Sequence, residues 1–215
     1  MISILYIDNH LLFLDKPAGL LTQPSGTERD SLETQAKAWI KQEFNKPGAV
    51  FLEAAHRIDS VACGVVLFAR TSKALSRLSS AIRAGKCQKE YRILVEGALP
   101  SNEGELRHWL RHDSHFAQVT KPNAPEAKLA TLQYKLLKKR HDGLNLVQVI
   151  LGTGRYHQIR AQFAAIGCPL AGDQKYGSSI HWNADGIALQ HYSLTIEHPV
   201  THETLKVSSK LKIVM

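Results

Sequence analysis

Three residues of this chain have types and settings suited to chemistry: an aspartate, an arginine and a tyrosine. Asp59 ends the tetrapeptide His56-Arg57-Ile58-Asp59, which follows the strand-like run 51–55. The segment 60–64 after it reads as a turn before the next strand. A carboxylate held at such an edge can act as a nucleophile. It can equally pair with Arg57 or cap the turn. Arg160 ends the stretch Leu151-Gly152-Thr153-Gly154-Arg155-Tyr156-His157-Gln158-Ile159-Arg160. A guanidinium is always charged and grips a carboxylate through two parallel hydrogen bonds. On spacing alone it is also an ordinary arginine on an amphipathic helix. Tyr91 lies in Lys89-Glu90-Tyr91, where it alternates with Ile93 and Val95 on a strand. Its face suits packing in a core or against a planar ligand.

The elements that must position these groups follow from periodicity. Residues 4–7 and 11–14 are short strands around Asp8-Asn9-His10, a hairpin. Lys16-Pro17-Ala18-Gly19 ends the second strand. Asp30, with Glu33 three residues on, is the expected cap of a helix carrying Leu32, Ala36, Trp39 and Ile40, which Pro47-Gly48 ends. Residues 65–69 read as a buried strand. Ser72 is the expected cap of a second helix with Leu75, Leu78 and Ile82 as its stripe and Gly85 past its end. Strands follow at 90–96, 132–137 and 144–151, and a third amphipathic helix is predicted over 155–166, closed by Gly167. Strands at 187–196 and 204–207 finish the chain. Residues 99–128 show little periodicity and read as a loop excursion or a small accessory strand region. Many strands, few helices and no β-α-β alternation predict an α+β fold with a mixed, mostly antiparallel sheet and flanking helices, in one domain over residues 1–215.

The chain has 215 residues, 27 Lys and Arg against 19 Asp and Glu, and a formal net charge of +8. That excess attracts a polyanion, nucleic acid first and an anionic membrane second, although it also simply aids solubility. Cys63, Cys87 and Cys168 are few, odd in number and far apart, which argues against a disulfide framework or a cysteine metal site and for reduced thiols in a cytoplasmic protein. No signal peptide and no membrane span is read. Gly152-Thr153-Gly154 has His157 where a dinucleotide fingerprint needs its third glycine. His108, His112 and His115 have helical spacing, but no glutamate follows His108 and Arg107 and Arg111 would repel a cation, so no metal is expected.

The two motifs resemble the signatures of the RNA pseudouridine synthases of the RluA type. Residues 151–160 are similar to that family's R-x-T-G-R-x-H-Q-I-R, with Leu151 and Gly152 at its first positions, and His56-Arg57-Ile58-Asp59 to its H-R-L-D. Lys89-Glu90-Tyr91 resembles K-x-Y, Lys16-Pro17-Ala18-Gly19 resembles N-K-P-x-G with Asp15 for Asn, and Glu197-His198-Pro199-Val200-Thr201 resembles a C-terminal H-P-v-T segment. In the loop after the aspartate only Gly64 of the family's x-x-T-S-G is kept. The likeness runs from about residue 4 to residue 207 and leaves no stretch for the small N-terminal RNA-binding domain that many relatives carry.

The resemblance implies a sheet core split by a central active-site cleft. It implies isomerisation of uridine in tRNA or rRNA, on a flipped-out base and without a cofactor. Asp59 would be the nucleophile, attacking ribose C1′ or uracil C6, Arg160 its partner, and Tyr91 the base-packing residue and candidate C5 base. Arg57, Lys89, Arg107, Arg111, Arg155 and His157 are the expected RNA contacts. The protein is expected to act as a monomer without a protein partner. Two other classes remain open: a catalytically silent RNA-binding protein of the same fold, and a nucleoside or glycoside hydrolase. The hydrolase would want a second carboxylate as acid–base, and none stands beside the motifs.

Overall fold

Strands β1 (Ser3–Ile7) and β2 (Leu11–Lys16) form the first hairpin, with Ile4 opposite Leu14 and Ile7 opposite Leu12. Asp8 makes its turn: one carboxylate oxygen accepts the N–H groups of His10 and Leu11 at 2.7 Å each, an Asx-type arrangement in which a side chain replaces backbone acceptors. The computed structural model describes residues 2–27, 29–182 and 185–213. These fall into two units, one of residues through Gln88 together with His191–Lys212, the other of Lys89–Gln190 with Ile213.

In the first unit β2 is buried along its whole length, because strand β4 (Cys63–Ala69) pairs antiparallel on its other side, from Leu11 opposite Ala69 to Lys16 opposite Gly64. The two-residue β3 (Glu53–Ala54) also pairs with β4. Strand β10 (Leu189–Glu197), which belongs to this unit from His191 on, lies next to β4 and carries β11 (Thr204–Ser208) antiparallel on it. Alternate residues Leu11, Phe13, Val65, Leu67, Leu194 and Ile196 form one face, as the two-residue period requires. Helix α2 (Ser72–Arg83) packs Ala74 and Leu78 into it. Helix α1 (Leu32–Glu43) buries Leu32, Ala36 and Ile40.

The second unit is an antiparallel sheet in the order β5-β9-β8-β6-β7, built from β5 (Cys87–Val95), β6 (Glu103–Asp113), β7 (Phe116–Thr120), β8 (Lys128–Lys139) and β9 (Asn145–Leu151). Helix α3 (Gln158–Ala165) sets Ala161 in a small cluster with Leu110, Ala117 and Ala130. A 3₁₀ turn, Gln174–Tyr176, follows. The result is α+β, as expected, with eleven strands and three α-helices among the described residues.

Several local expectations shift. Ser31, not Asp30, caps α1: its extended backbone lets its hydroxyl accept from Thr34 N–H, while Asp30 accepts from Ser31 N–H. The helix ends at Glu43, where Asn45 takes a positive φ of 46°, before Pro47 is reached. Thr71, not Ser72, caps α2. The segment 99–128 is a real hairpin, β6–β7, and His108 and His112 are strand residues on one face rather than a helical row. Among the described residues no group of three metal-ligating side chains occurs, and no helix is long and apolar enough to cross a membrane.

Candidate active site

Asp59 sits at the start of a tight turn, its carbonyl accepting from Ala62 N–H at 3.0 Å. Both neighbours are tied to the loop after β2. Ile58 is held by Thr22, whose hydroxyl donates to the Ile58 carbonyl at 3.1 Å and accepts from Ile58 N–H at 3.4 Å. The Ser60 carbonyl accepts from Gly19 N–H at 2.8 Å and from the Lys16 ammonium at 3.1 Å. Lys16 also donates to the carbonyls of Pro17 and Leu20, at 2.8 and 2.7 Å. This lysine is fully buried, and burial pulls it down to about 8, against the opposing pull of the Cys63 and Asp59 side chains. The loop from Lys16 to Thr22 is therefore the clamp that fixes the backbone on either side of Asp59, Lys16 and Gly19 at Ser60 and Thr22 at Ile58; Asp59 itself is half-buried.

Other residues of the tetrapeptide divide the work. His56 is buried, and its Nε2 accepts from Leu67 N–H at 3.2 Å, anchoring the segment to β4. Arg57 is exposed. Gly64 is required by space as well as by its φ of 112°: a Cβ there would lie 2.2 Å from the His191 carbonyl oxygen. Cys63 is a protonated thiol, pushed up to about 11 by burial and by Asp15.

In the second unit the decapeptide folds as a strand end, a turn and a helix start. Gly152 has no room for a side chain, since a Cβ would meet the Thr131 hydroxyl at 2.5 Å. The Gln158 side chain is the keystone: its oxygen accepts from the Thr153 hydroxyl at 2.8 Å and from Arg155 N–H at 2.9 Å, and its amide donates to the Thr131 carbonyl at 3.0 Å. His157 adopts the left-handed conformation (φ 48°, ψ 27°). That backbone cannot continue an α-helix, so α3 begins at Gln158, three residues later than the stripe predicts. Tyr156, expected on that apolar stripe, instead stacks on His157 at 3.9 Å between ring centroids and tilts against His112 at 4.3 Å.

Arg160 is almost wholly buried. Asp173 takes it in a two-pronged grip, Nε to Oδ2 at 2.6 Å and Nη2 to Oδ1 at 2.8 Å. Nη1 donates to His157 Nε2 at 2.9 Å, and the Tyr176 ring lies 4.9 Å from the guanidinium carbon. Because arginine only donates, His157 Nε2 must be unprotonated and Nδ1 carries the hydrogen, which faces the Tyr176 hydroxyl at 2.9 Å. Burial first, then Arg160 and Lys175, push His157 down to about 3.

Tyr91 is buried in β5, opposite Val149 of β9. Lys89 is half-buried, its ammonium 3.9 Å from where a Cβ of Gly154 would be. Arg155 donates to the Leu129 carbonyl at 3.0 Å and is exposed. Arg107 and Arg111 lie on one face of β6, at 3.3 Å from Glu105 and 3.9 Å from Asp113. The structure thus joins His157 to Arg160. It adds Thr22, Asp173 and Tyr176, which sequence reasoning did not single out, and gives bonding roles to Lys16 and Gln158, which it quoted only as members of motifs. Asp173 had one visible signal, a carboxylate set between Gly172 and Gly177 in a short polar run.

The family described as RNA pseudouridylate synthase is matched over residues 10–165. The dual-specificity RNA pseudouridine synthase RluA of Haemophilus influenzae is 29% identical over 210 residues, covering 97% of this chain and 93% of that protein. Its namesake in Haemophilus ducreyi is 30% identical over 211 residues, covering 95% and 91%. The ribosomal large subunit pseudouridine synthase C of Rickettsia bellii is 32% identical over 176 residues, which is 81% of this chain and 56% of that longer protein. Among solved structures, human RNA pseudouridylate synthase domain containing 4 superposes with a TM-score of 0.80 at 20% identity, over 98% of this chain and 88% of that one. Domain containing 1 gives 0.79 at 19%, over 98% and 84%. The solved structures establish the fold, and the family match with the RluA relatives goes further: this chain belongs to the RNA pseudouridylate synthase family.

Proposed function

We propose that this chain converts uridine in structured tRNA or rRNA to pseudouridine, with Asp59 as the nucleophile. The observation that carries the reading is the turn at Asp59, pinned at Ile58 by Thr22 and at Ser60 by Gly19 and buried Lys16. So much backbone restraint around one half-buried carboxylate is what a nucleophile needs, because misplacement by about 1 Å can cost 10²-fold in rate. The names of two relatives, a dual-specificity RNA pseudouridine synthase matched over nearly its whole length and a ribosomal large subunit pseudouridine synthase matched over about half of its own, support the substrate class.

The reaction breaks the C1′–N1 bond of the uridine, forms C1′–C5, and moves one proton off C5. No redox change occurs. Asp59 adds to ribose C1′ or uracil C6, and both routes regenerate the carboxylate. Arg160 serves as its charge partner and Tyr91 packs against the extruded base, its phenol the candidate acceptor of the C5 proton. Arg57, Lys89, Arg155 and His157 belong to the RNA-facing set, with Arg107 and Arg111 as outlying phosphate contacts. Asp59→Asn and Asp59→Ala are expected to abolish tritium release from C5-labelled uridine RNA while retaining RNA binding. Appreciable turnover by either variant would remove Asp59 from the chemistry. Binding without turnover by the parent protein would make it a silent member of the fold.

A further inference from the structure

The guanidinium of Arg160 is held from three sides by groups outside the motif's own pairing. Asp173 takes Nε and Nη2, at 2.6 and 2.8 Å. His157 Nε2 takes Nη1 at 2.9 Å. The Tyr176 ring covers the guanidinium carbon at 4.9 Å. These partners are themselves fixed. Asp173 is buried beside the 3₁₀ turn that presents Tyr176. The Tyr176 hydroxyl accepts from Ala117 N–H at 2.8 Å and faces the Ala117 carbonyl at 3.4 Å, so it is tied to β7. His157 Nδ1–H donates to the same hydroxyl. The hydrogen-bond directions are forced: arginine can only donate, so each partner has one role to play.

We propose that Asp173, with the Tyr176–His157 pair, is a positioning set for Arg160. It holds the guanidinium in one orientation through Nε, Nη1 and Nη2. The inference rests on the reading of Arg160 as the partner of Asp59. Asp173 then acts on rate through Arg160 and touches no substrate. A second consequence concerns β6–β7. Through Ala117 and Tyr176, and through His112 against Tyr156, the hairpin bearing Arg107 and Arg111 is mechanically linked to the residue that orients Arg160.

A double-mutant cycle tests this, with turnover and RNA affinity read separately. Asp173→Asn keeps one acceptor and the shape, and is expected to lower kcat about 100-fold with KM for the RNA unchanged. Arg160→Lys should lower kcat comparably. The double variant should be no slower than Arg160→Lys alone, because Asp173 has nothing left to orient. Multiplicative losses in the double variant, or wild-type kcat for Asp173→Asn beside a slow Arg160→Lys, overturn the proposal. Wild-type kcat for Arg160→Lys overturns the role of Arg160 itself and the positioning set with it. If Asp173→Asn does not fold, Tyr176→Phe decides. It keeps the ring over Arg160 and loses the hydroxyl, and should lower kcat about tenfold at unchanged KM; unchanged kcat in that variant overturns the proposal.

Discussion

His157 occupies a left-handed backbone that histidine, asparagine and aspartate adopt more readily than most side chains. Its titration is displaced from the ordinary 6.5 to about 3, by burial first and then by Arg160 and Lys175. In the unfolded chain the imidazole takes up a proton near pH ~6.5. Between there and about 3 the unfolded state binds more protons than the folded one, so this residue's contribution is complete above 6.5 and declines as pH falls. His157→Asn, which tolerates the same backbone, is expected to lose less melting temperature than the parent between pH ~6.5 and ~4. Equal slopes for the two proteins would show that His157 does not titrate this way. Asp59, Arg160 and Tyr91 were singled out because reactive residue types stood inside recognisable motifs. Asp173 was not, since it meets Arg160 only after α3 has ended and the chain has turned back, a separation of thirteen residues that matches no helical or strand period. Lys16 hid for another reason: a fully buried lysine satisfied by three carbonyls looks in sequence like any strand-ending lysine.

At the scale of elements, caps decide where helices begin. Thr71 is extended at φ −142° and its hydroxyl accepts from Ala74 N–H at 3.2 Å. Thr71→Ala is expected to destabilise the protein by about 1 kcal/mol, while Ser72→Ala, inside the helix, should cost roughly nothing. Denaturant unfolding of the pair distinguishes the two, and an equal loss would contradict the cap. Sequence periodicity found all three helices, yet set α1 and α2 one residue off at their caps and α3 too early. In each case a local hydrogen bond or a single left-handed residue, rather than the apolar stripe, sets the boundary. Strands β6 and β7 were nearly illegible because their outward faces carry Glu, Arg and Gln, while their inward faces interleave His108 and His112 with the few buried apolar residues Leu106, Leu110 and Ala117. Their register comes from β8, through pairs such as Leu106 opposite Leu132, which no local window contains.

At the scale of the whole molecule, the charge of +8 should set how the protein finds its substrate. Lys and Arg that neutralise phosphates release condensed counterions, so RNA affinity is expected to drop by roughly two or more orders of magnitude between ~50 and ~200 mM salt. Charge reversal within residues 86–92, at Arg107 and Arg111, or within residues 138–140 assigns the contacts at fixed salt. The last cluster should matter least, because Arg140 is already engaged by Asp142 at 2.7 Å. A flat salt dependence would detach the charge from RNA. The α+β class followed from counting strands against helices. The division of the chain into two units did not, because it falls inside two strands, at Gln88 and His191, with no linker composition to mark it.

That division also orders events on the ribosome. The second unit takes all but its last residues from the contiguous run 89–190, so its strands can pair as they emerge, but the first unit borrows Leu194 and Ile196 for its core and uses Ser209, Lys210 and Leu211 to satisfy Asp15. At roughly 5–20 residues per second, β4 waits on the order of 6–25 s with the edge that β10 will cover still bare. For that interval the nascent first unit is an open sheet edge exposed to other chains. Any arrest of translation before residue 191 would leave it so.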